Sequence, residues 1–116
     1  MIIAIHQPNY LPWLGYFRKI ALAEVFVFLD DVQFSKNSYT NRVQVLQSGK
    51  ARWLTVPVSF SFGDAITAVQ ASTPDWRDDH CNRLSAYYAQ APCFSAVWPQ
   101  LREILLAAPR GDLAAI

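Results

Sequence analysis

Charged residues are scarce in this sequence. They make up 16% of its 116 residues, against roughly 25% in an average soluble domain. Ten basic and nine acidic residues are interspersed and leave a net charge of +1, so no basic patch indicates nucleic acid and we predict no such partner. The low charge predicts either an unusually apolar surface or one covered by a partner protein, a second copy of the chain or a further segment.

Cysteine and long apolar runs are also scarce. Cys81 and Cys93 are the only cysteines, and neither has a CxxC partner or a histidine cluster beside it, which argues against a disulfide framework and a zinc site. No stretch reaches the roughly 18 apolar residues that span a bilayer, and the first residues lack the pattern of a signal peptide. We therefore expect a cytoplasmic protein without a membrane span. No pattern indicates a particular cofactor.

Hydrophobic residues, at 53%, are sufficient for one compact domain. MIIAI at the start and EVFVFLDDV at residues 24–32 are short apolar runs that favour buried strands, the second ending at Asp30 and Asp31. The segment 13–23 between them has the periodicity of a helix that begins at Pro12. A strand, a helix and a strand within about 30 residues predict a βαβ unit with parallel strands.

The rest of the chain predicts a hairpin and two more helices. RVQVL and RWLTVPV, joined by residues 47–50, favour two antiparallel strands, and ITAVQA at 66–71 favours another short strand. One helix is predicted to begin after Ser72 or Thr73 as its cap, with Pro74 in its first turn, and to run to about Ala89. A further helix is predicted over about 95–107. The buried side of the last helix is expected to carry Val97, Leu101, Ile104 and Leu105.

These elements together predict a single Rossmann-like α/β domain over residues 1–116, with a mixed, mainly parallel sheet flanked by helices. A new apolar run begins at Leu113 and continues to Ile116, where the sequence stops. We therefore expect the N-terminal portion of a longer protein.

Four polar residues follow the first predicted strand: His6, Gln7, Asn9 and Tyr10. In an open α/β sheet this position lies at the carboxyl edge and beside a helix N-terminus, where phosphates and carboxylates bind. Pro8 within the segment and Pro12 after it stiffen the backbone, and Gly15 is expected to let another group approach the helix closely. The segment is therefore predicted to bind an anionic ligand, with His6 as a general base. The alternative is that its aromatic residues only seal the edge of the sheet.

The second predicted strand ends in two carboxylates, Asp30 and Asp31. Adjacent strand residues point to opposite sides, so only one of them is expected to share the rim with His6. A sugar hydroxyl, an amine or a divalent cation would suit it, and Asp31 is our second catalytic candidate. A turn in which the carboxylate bonds to backbone is the alternative.

The polar loop after this strand contains two cations. Gln33, Lys36, Asn41 and Arg42 are of the kind that holds phosphate or carboxylate groups, and we predict that they bind substrate. A solvated surface loop would have the same composition.

His80 occupies the inward stripe of a predicted helix. Trp76, His80, Leu84 and Tyr87 share the i, i+4, i+8 and i+11 positions, which places the histidine away from solvent. It is predicted either to bond to a core carbonyl or to enter the cleft as a substrate-binding residue.

Four segments resemble the WbqC-like family of bacterial proteins: IHQPNYLPWLGYFRKI, FVFLDDVQFSKNSYTNRVQV, WLTVPV, and the Trp, His, Leu, Tyr-Tyr and Ala-Pro pattern over residues 76–94. Members often accompany genes for surface-polysaccharide assembly and modified sugars, so the resemblance implies a role there. Members are also about twice this long, which agrees with the expectation of a partial chain.

A weaker resemblance concerns fold. The order of strand, histidine loop, glycine-aromatic step and helix is similar to nucleotidylyltransferases with a His-x-Gly-His signature, but Tyr16 stands where their last histidine would be. Because tyrosine supplies no cation at neutral pH, nucleotidyl transfer is disfavoured.

The resulting hypothesis is a group transferase that binds an anionic or nucleotide-linked small molecule. Its donor would be a nucleotide sugar or an acyl or aminoacyl compound. His6 or Asp31 would take a proton from the acceptor, and Arg42 would hold the charge of the donor. The rival hypothesis is a non-catalytic binding or assembly protein of the same pathway, which the low charge and four tryptophans favour.

Overall fold

The computed structural model describes residues 1–73, 75–109, 111 and 113. Within them the chain forms short strands, three helices and one 3-10 turn, Ile66–Ala68. The strands are β1 (Ile3–His6), β2 (Val25–Phe28), β3 (Arg42–Gln47), β4 (Lys50–Thr55), β5 (Val58–Ser59) and β6 (Gln70–Ala71). The helices are α1 (Leu14–Leu22), α2 (Trp76–Tyr88) and α3 (Phe94–Ala107).

The predicted βαβ unit is confirmed. β1 and β2 pair in parallel, from Ile3 opposite Val25 to His6 opposite Phe28, and α1 connects them. Trp13, directly after Pro12, is the N-cap of α1. The predicted end of the second strand at Asp30 and Asp31 is wrong, since β2 already ends at Phe28.

The predicted Rossmann-like sheet is wrong. The described residues form three separate two-stranded sheets, β1 with β2 in parallel and two antiparallel pairs, β3 with β4 and β5 with β6. The apolar runs suggested central strands, but the side chains of Ile3 and Ile5 are 57% and 54% exposed. An apolar run indicates that a strand can be buried, but it does not indicate which segments cover that strand. The prediction therefore placed later strands beside β1, whereas those strands pair with other segments.

The hairpin of β3 and β4 is confirmed. Its register runs from Arg42 opposite Thr55 to Gln47 opposite Lys50. Ser48 and Gly49 make the turn with φ values of 50° and 79°. Positive φ at both central residues gives a turn whose twist matches the flanking strands.

The main core lies between this hairpin and the two C-terminal helices. Leu54, Val56, Trp76 and Leu84 are among its buried residues. Leu105 of α3 belongs to it as well. Further members come from the loops, the 3-10 turn and the chain end: Tyr10, Phe34, Ile66, Val69 and Leu113. Because α1 and the parallel strands lie outside this cluster, much of their apolar surface is exposed.

The predicted strand at residues 66–71 is mostly wrong. Ile66 and Val69 are fully buried, but their spacing is that of one 3-10 turn, in which residues i and i+3 lie on the same side. Only Gln70–Ala71 forms a strand, paired with β5.

The last helix is confirmed and its predicted buried stripe is wrong in part. Leu105 is buried and Leu101 packs against the core, whereas Val97 and Ile104 are exposed. Of the closing apolar run, Leu113 is buried and its N–H donates to the Val69 carbonyl. Residues 114–116 lie outside the described part of the chain.

Replacing Gly49 with alanine tests the turn. A Cβ at Gly49 would meet no atom within 4 Å, so the cost is conformational only, and we expect a loss of roughly 1–2 kcal/mol in unfolding free energy. Urea titration followed by circular dichroism measures it. Gly49→Asn is the control, because asparagine tolerates positive φ; equal losses in both variants would contradict this explanation.

Candidate functional site

A cleft of about 520 Å³ lies where the opening loop, the end of β2 and the polar loop meet. We call it the His6 cleft. It is lined by Ile5, His6, Gln7, Asn9, Trp13, Leu29, Ser38, Tyr39 and Thr40. Backbone bonds hold its walls together: the Tyr10 N–H donates to the Tyr39 carbonyl at 3.0 Å, and the Leu29 N–H to the His6 carbonyl at 2.8 Å.

His6 is held by one ring nitrogen. Its Nδ1 lies 2.9 Å from the Gln7 carbonyl oxygen, and since a carbonyl only accepts, Nδ1 carries the hydrogen. The ring also meets the edge of Tyr16, with centroids 4.8 Å apart and planes at 80°. In the neutral ring Nε2 is then an acceptor, and it makes no hydrogen bond within the described residues. This is the arrangement that a general base requires.

Tyr16 supports the same loop from inside. Its side chain is only 2% exposed, and its hydroxyl donates to the Gln7 carbonyl at 2.9 Å. Burial raises the pKa of this phenol, which keeps the hydroxyl a neutral donor. Tyr16 therefore fixes the backbone beside His6, whereas the histidine of the nucleotidylyltransferase signature contacts phosphate.

Gly15 makes room for a wall of the cleft. A Cβ at Gly15 would lie 1.3 Å from Cζ3 of the Trp13 ring. The indole therefore folds back over the first turn of α1 only because residue 15 has no side chain. The close approach expected from this glycine is made by Trp13 itself.

The carboxylates and Gln33 lie apart from His6. Asp30 is half-buried and lines a neighbouring pocket of about 390 Å³, which shares Asn9 with the His6 cleft. Asp31 is exposed and lines neither cavity. Gln33 is exposed as well and pairs through its backbone with Ala65.

Lys36, Asn41 and Arg42 line a different pocket, of about 210 Å³. We call it the Arg42 pocket. It is lined by Phe34, Lys36, Asn37, Asn41, Arg42, Thr55, Pro57, Val58 and Phe60. It shares no residue with the His6 cleft, so the structure does not bring these cations to His6.

His80 and Tyr10 are bound to each other inside the protein. His80 is 1% exposed, and its Nε2 lies 2.8 Å from the Thr55 carbonyl oxygen and therefore donates. Its Nδ1 then accepts the Tyr10 hydroxyl at 2.7 Å. Burial lowers the pKa of His80 and raises that of Tyr10. The sequence left two alternatives for His80, a bond to a core carbonyl or a place in the cleft. The structure has the bond to a core carbonyl.

Sequence reasoning missed part of the cleft wall. Leu29, Ser38 and Thr40 line it but carry no signal of their own, because short hydroxyl and apolar side chains are common in loops. Trp13, which is 62% exposed, lines it as well. The signal nearest to this wall in the sequence was Gly15, because a residue without a side chain lets another group approach the helix closely. Within the described residues, no group of three His, Cys, Asp or Glu side chains could hold a metal ion.

Comparison with known proteins decides the family. The model of the WbqC-like protein family matches residues 7–116, almost the whole chain. The chain belongs to the WbqC-like protein family. A relative is the uncharacterized protein Rv1507c of Mycobacterium tuberculosis, 35% identical over 106 residues, which cover 90% of this chain and 46% of that protein. No solved structure matches the chain.

This WbqC-like chain thus spans about half the length of its curated relative. The family match begins at Gln7 and includes most of the His6 cleft and all of the Arg42 pocket. Among the helices that the structure describes in this WbqC-like chain, none is long and apolar enough to cross a membrane.

Acidification tests the state of His80. Because its folded-state pKa lies below the ordinary value of 6.5, the unfolded chain takes up a proton that the folded chain does not. The unfolding free energy should therefore be undiminished above about pH 6.5 and fall as the pH drops below it. Urea unfolding at pH 7.5, 6.5 and 5.5 measures the slope.

His6 provides the control for this slope, since the chain has two histidines. We expect His80→Gln to flatten the dependence between pH 7.5 and 5.5 and His6→Gln to retain it. A slope unchanged in His80→Gln would show that His80 does not cause it.

Proposed function

We propose that the His6 cleft binds an anionic or nucleotide-linked small molecule, and that the chain acts as a group transferase in bacterial surface-polysaccharide or modified-sugar biosynthesis. Membership of the WbqC-like family supports the pathway. The donor is a nucleotide sugar or an acyl or aminoacyl compound. The reaction takes place in the cytoplasm, where such activated donors are made.

The observation that most supports this proposal is the free Nε2 of His6, which lies in a cleft large enough for a small-molecule ligand. The Gln7 carbonyl fixes the tautomer, and the cleft of about 520 Å³ is within the usual range for small-molecule sites. Gln7, Asn9, Ser38 and Thr40 line it with neutral donors and acceptors, which suit sugar and nucleotide hydroxyls. Trp13, the N-cap of α1, lines the cleft too, and a helix N-terminus favours a negatively charged group.

In the proposed reaction His6 Nε2 takes the proton from an acceptor hydroxyl or amine. The freed electron pair forms the new bond to the donor's electrophilic atom, and the leaving group departs with the electrons of the bond that breaks. The imidazolium then returns its proton to the leaving group. The Gln7 carbonyl, which already accepts the Nδ1 hydrogen, stabilises the imidazolium in between. Asp31 stays a prediction as a second base. Arg42 lines a separate pocket, so its predicted contact with the donor is not part of the reaction proposed for the His6 cleft.

Ligand-dependent melting tests the binding step. We expect one of three probes, a uridine-diphosphate sugar, ATP or acetyl-coenzyme A, to stabilise the chain by about 2.7 kcal/mol at a hundred times its Kd. Gly15→Ala, which displaces the Trp13 ring, should weaken this stabilisation, and Arg83→Ala on the exposed side of α2 should leave it unchanged. Absence of stabilisation by all three probes would contradict ligand binding in the cleft.

Kinetics test the role of His6 once the donor is known. Loss of a general base costs typically 10²–10⁴-fold in rate, so His6→Gln should reduce kcat by about that factor with little change in melting temperature. Undiminished turnover in this variant would reject His6 as the base.

A second candidate function is a non-catalytic assembly protein. It is favoured by the apolar side chains that α1 and the parallel strands expose: Ile3, Ile5, Trp13, Leu14, Phe17, Leu22, Val25, Val27 and Phe28. Interface cores are enriched in such aromatic and aliphatic residues. The experiment is analytical ultracentrifugation of the chain alone and with pathway proteins. Phe17→Ser should abolish any association without a change in the circular dichroism spectrum.

A further inference from the structure

The cavity of about 390 Å³ beside the His6 cleft has a different charge from its neighbour. We call it the Asp30 pocket. Among the described residues that line it there is one carboxylate, that of Asp30, and neither a lysine nor an arginine. Trp13, the N-cap of α1, lines the His6 cleft and not this pocket, so the positive end of the helix dipole acts mainly on the His6 cleft. The Asp30 pocket therefore favours a positively charged ligand.

The side chain of Asp30 lies on the side of the chain that faces α1. Phe26 contacts Tyr16 of α1, with ring centroids 5.7 Å apart, and Phe28 contacts Phe26 at 5.0 Å. Side chains alternate along an extended chain, so Asp30 follows Phe28 on this side and Leu29 lies on the other. The cavities agree with this alternation, because Phe28 and Asp30 line the Asp30 pocket, whereas Leu29 lines the His6 cleft.

The carboxylate of Asp30 has no partner within the described residues, where it makes no side-chain hydrogen bond and no ion pair. Its backbone is held, since the Thr67 N–H donates to the Asp30 carbonyl at 3.0 Å. Asp64 provides the contrast, because its Oδ2 accepts the Ser61 N–H at 2.8 Å. Asp30 is half-buried, so its charge is only partly hydrated and is not neutralised by the protein. Such a carboxylate attracts a cation that can also donate hydrogen bonds.

The walls of the pocket are apolar and partly aromatic. The Tyr16 hydroxyl is already bound to the Gln7 carbonyl, which leaves the ring of Tyr16 as its apolar part. Aromatic rings attract ammonium ions to their faces and also pack against apolar groups. The apolar residues of the lining are Pro8, Pro12, Tyr16, Phe17, Ile20 and Phe28. Walls of this composition favour an ammonium group that is attached to an apolar body.

Oxygen content and size limit the ligand further. Asn9 and Asp30 are the lining residues with a side-chain amide or carboxylate, whereas Ca²⁺ takes about six to eight oxygen ligands. A metal ion is therefore poorly served. The volume of about 390 Å³ equals that of roughly thirteen waters at about 30 Å³ each. This is enough for an amine with one ring and too little for a nucleotide.

We infer that the Asp30 pocket is a binding site for a small organic ammonium ion. The ammonium group donates to the Asp30 carboxylate, and the organic part packs against Phe17 and Phe28. The pocket adjoins the His6 cleft at Asn9, which lines both. Binding of the ammonium ion does not depend on the reaction proposed for the His6 cleft, because His6 does not line the Asp30 pocket.

NMR titration of the ¹⁵N-labelled chain at pH 7 tests the site with four probes: benzylammonium, benzyl alcohol, benzoate and the ammonium ion. Benzyl alcohol has nearly the shape of benzylammonium without its charge, and the ammonium ion has the charge without the ring. We expect benzylammonium to shift the backbone signals of Phe17, Phe28 and Asp30, with a Kd at least fivefold below those of the other three probes. Raising sodium chloride from 50 to 500 mM should weaken benzylammonium and leave benzyl alcohol unchanged.

Three variants assign the interaction to the carboxylate. Asp30→Asn keeps the shape and removes the charge, so we expect benzylammonium to bind no better than benzyl alcohol. Asp31→Asn is the matched control, since it removes the same charge from an exposed neighbour that lines neither cavity; its affinity for benzylammonium should equal that of the unaltered chain. His6→Gln should also bind benzylammonium normally, which separates this test from the proposed function.

Three outcomes would overturn the inference. If benzylammonium shifts none of the signals named, the pocket is not a ligand site. If benzyl alcohol or benzoate binds as tightly as benzylammonium, the pocket selects apolar shape and Asp30 does not recognise a cation. If Asp31→Asn loses as much affinity as Asp30→Asn, the cation binds to general surface charge. Should Asp30→Asn fail to fold, the salt dependence in the unaltered chain decides, and equal dependence for benzylammonium and benzyl alcohol rejects the ion pair.

Discussion

The hydrogen-bonded chain through His80 is the constraint on which the rest of the structure depends. One imidazole on α2 donates to the last residue of β4 and accepts from the opening loop, so three separate parts of the sequence meet at one ring. Burial favours the neutral imidazole, which has one donor and one acceptor, and each has a single partner. The backbone N–H of Tyr10 donates to the Tyr39 carbonyl, which connects this network to a residue that lines the His6 cleft. The wall of the His6 cleft is therefore fixed by a residue that does not line it.

Local patterns predicted the helices and the hairpin because their causes are local. The stripe of Trp76, His80 and Leu84 follows from helix periodicity, and the Ser48 and Gly49 turn follows from the freedom of glycine at positive φ. The sheet could not be predicted in the same way. β1 and β2 have the composition of buried strands, yet within the described residues they pair only with each other. Pairing between distant segments depends on the whole chain, which a run of apolar letters does not encode.

The sequence predicted the opening segment of the candidate site. It did not predict that the site residues are divided between two cavities. His6, Gln7 and Asn9 stood out as polar residues between a strand and a helix, and they do line a cleft. The polar loop was treated as one unit, but Ser38 to Thr40 line the His6 cleft whereas Asn41 and Arg42 line the other pocket. Which way each side chain turns depends on where the loop enters β3, and composition carries no information on that point. Helix periodicity correctly placed His80 on the inward side. Its partner Thr55 could not be predicted from its side chain, because it contributes only a backbone oxygen.

The entry of the loop into β3 makes residues 38–42 a partition between two cavities. A substitution in this partition alters the lining of one cavity and leaves the other intact. A change in its length has a different effect, since an inserted or deleted residue rotates every following side chain relative to both spaces. The spacing from Tyr39, tied to the opening loop, to Arg42, stacked on Trp53, is therefore constrained from both ends. We therefore expect sequences that preserve the two cavities to differ by substitutions within this segment and to keep its length constant.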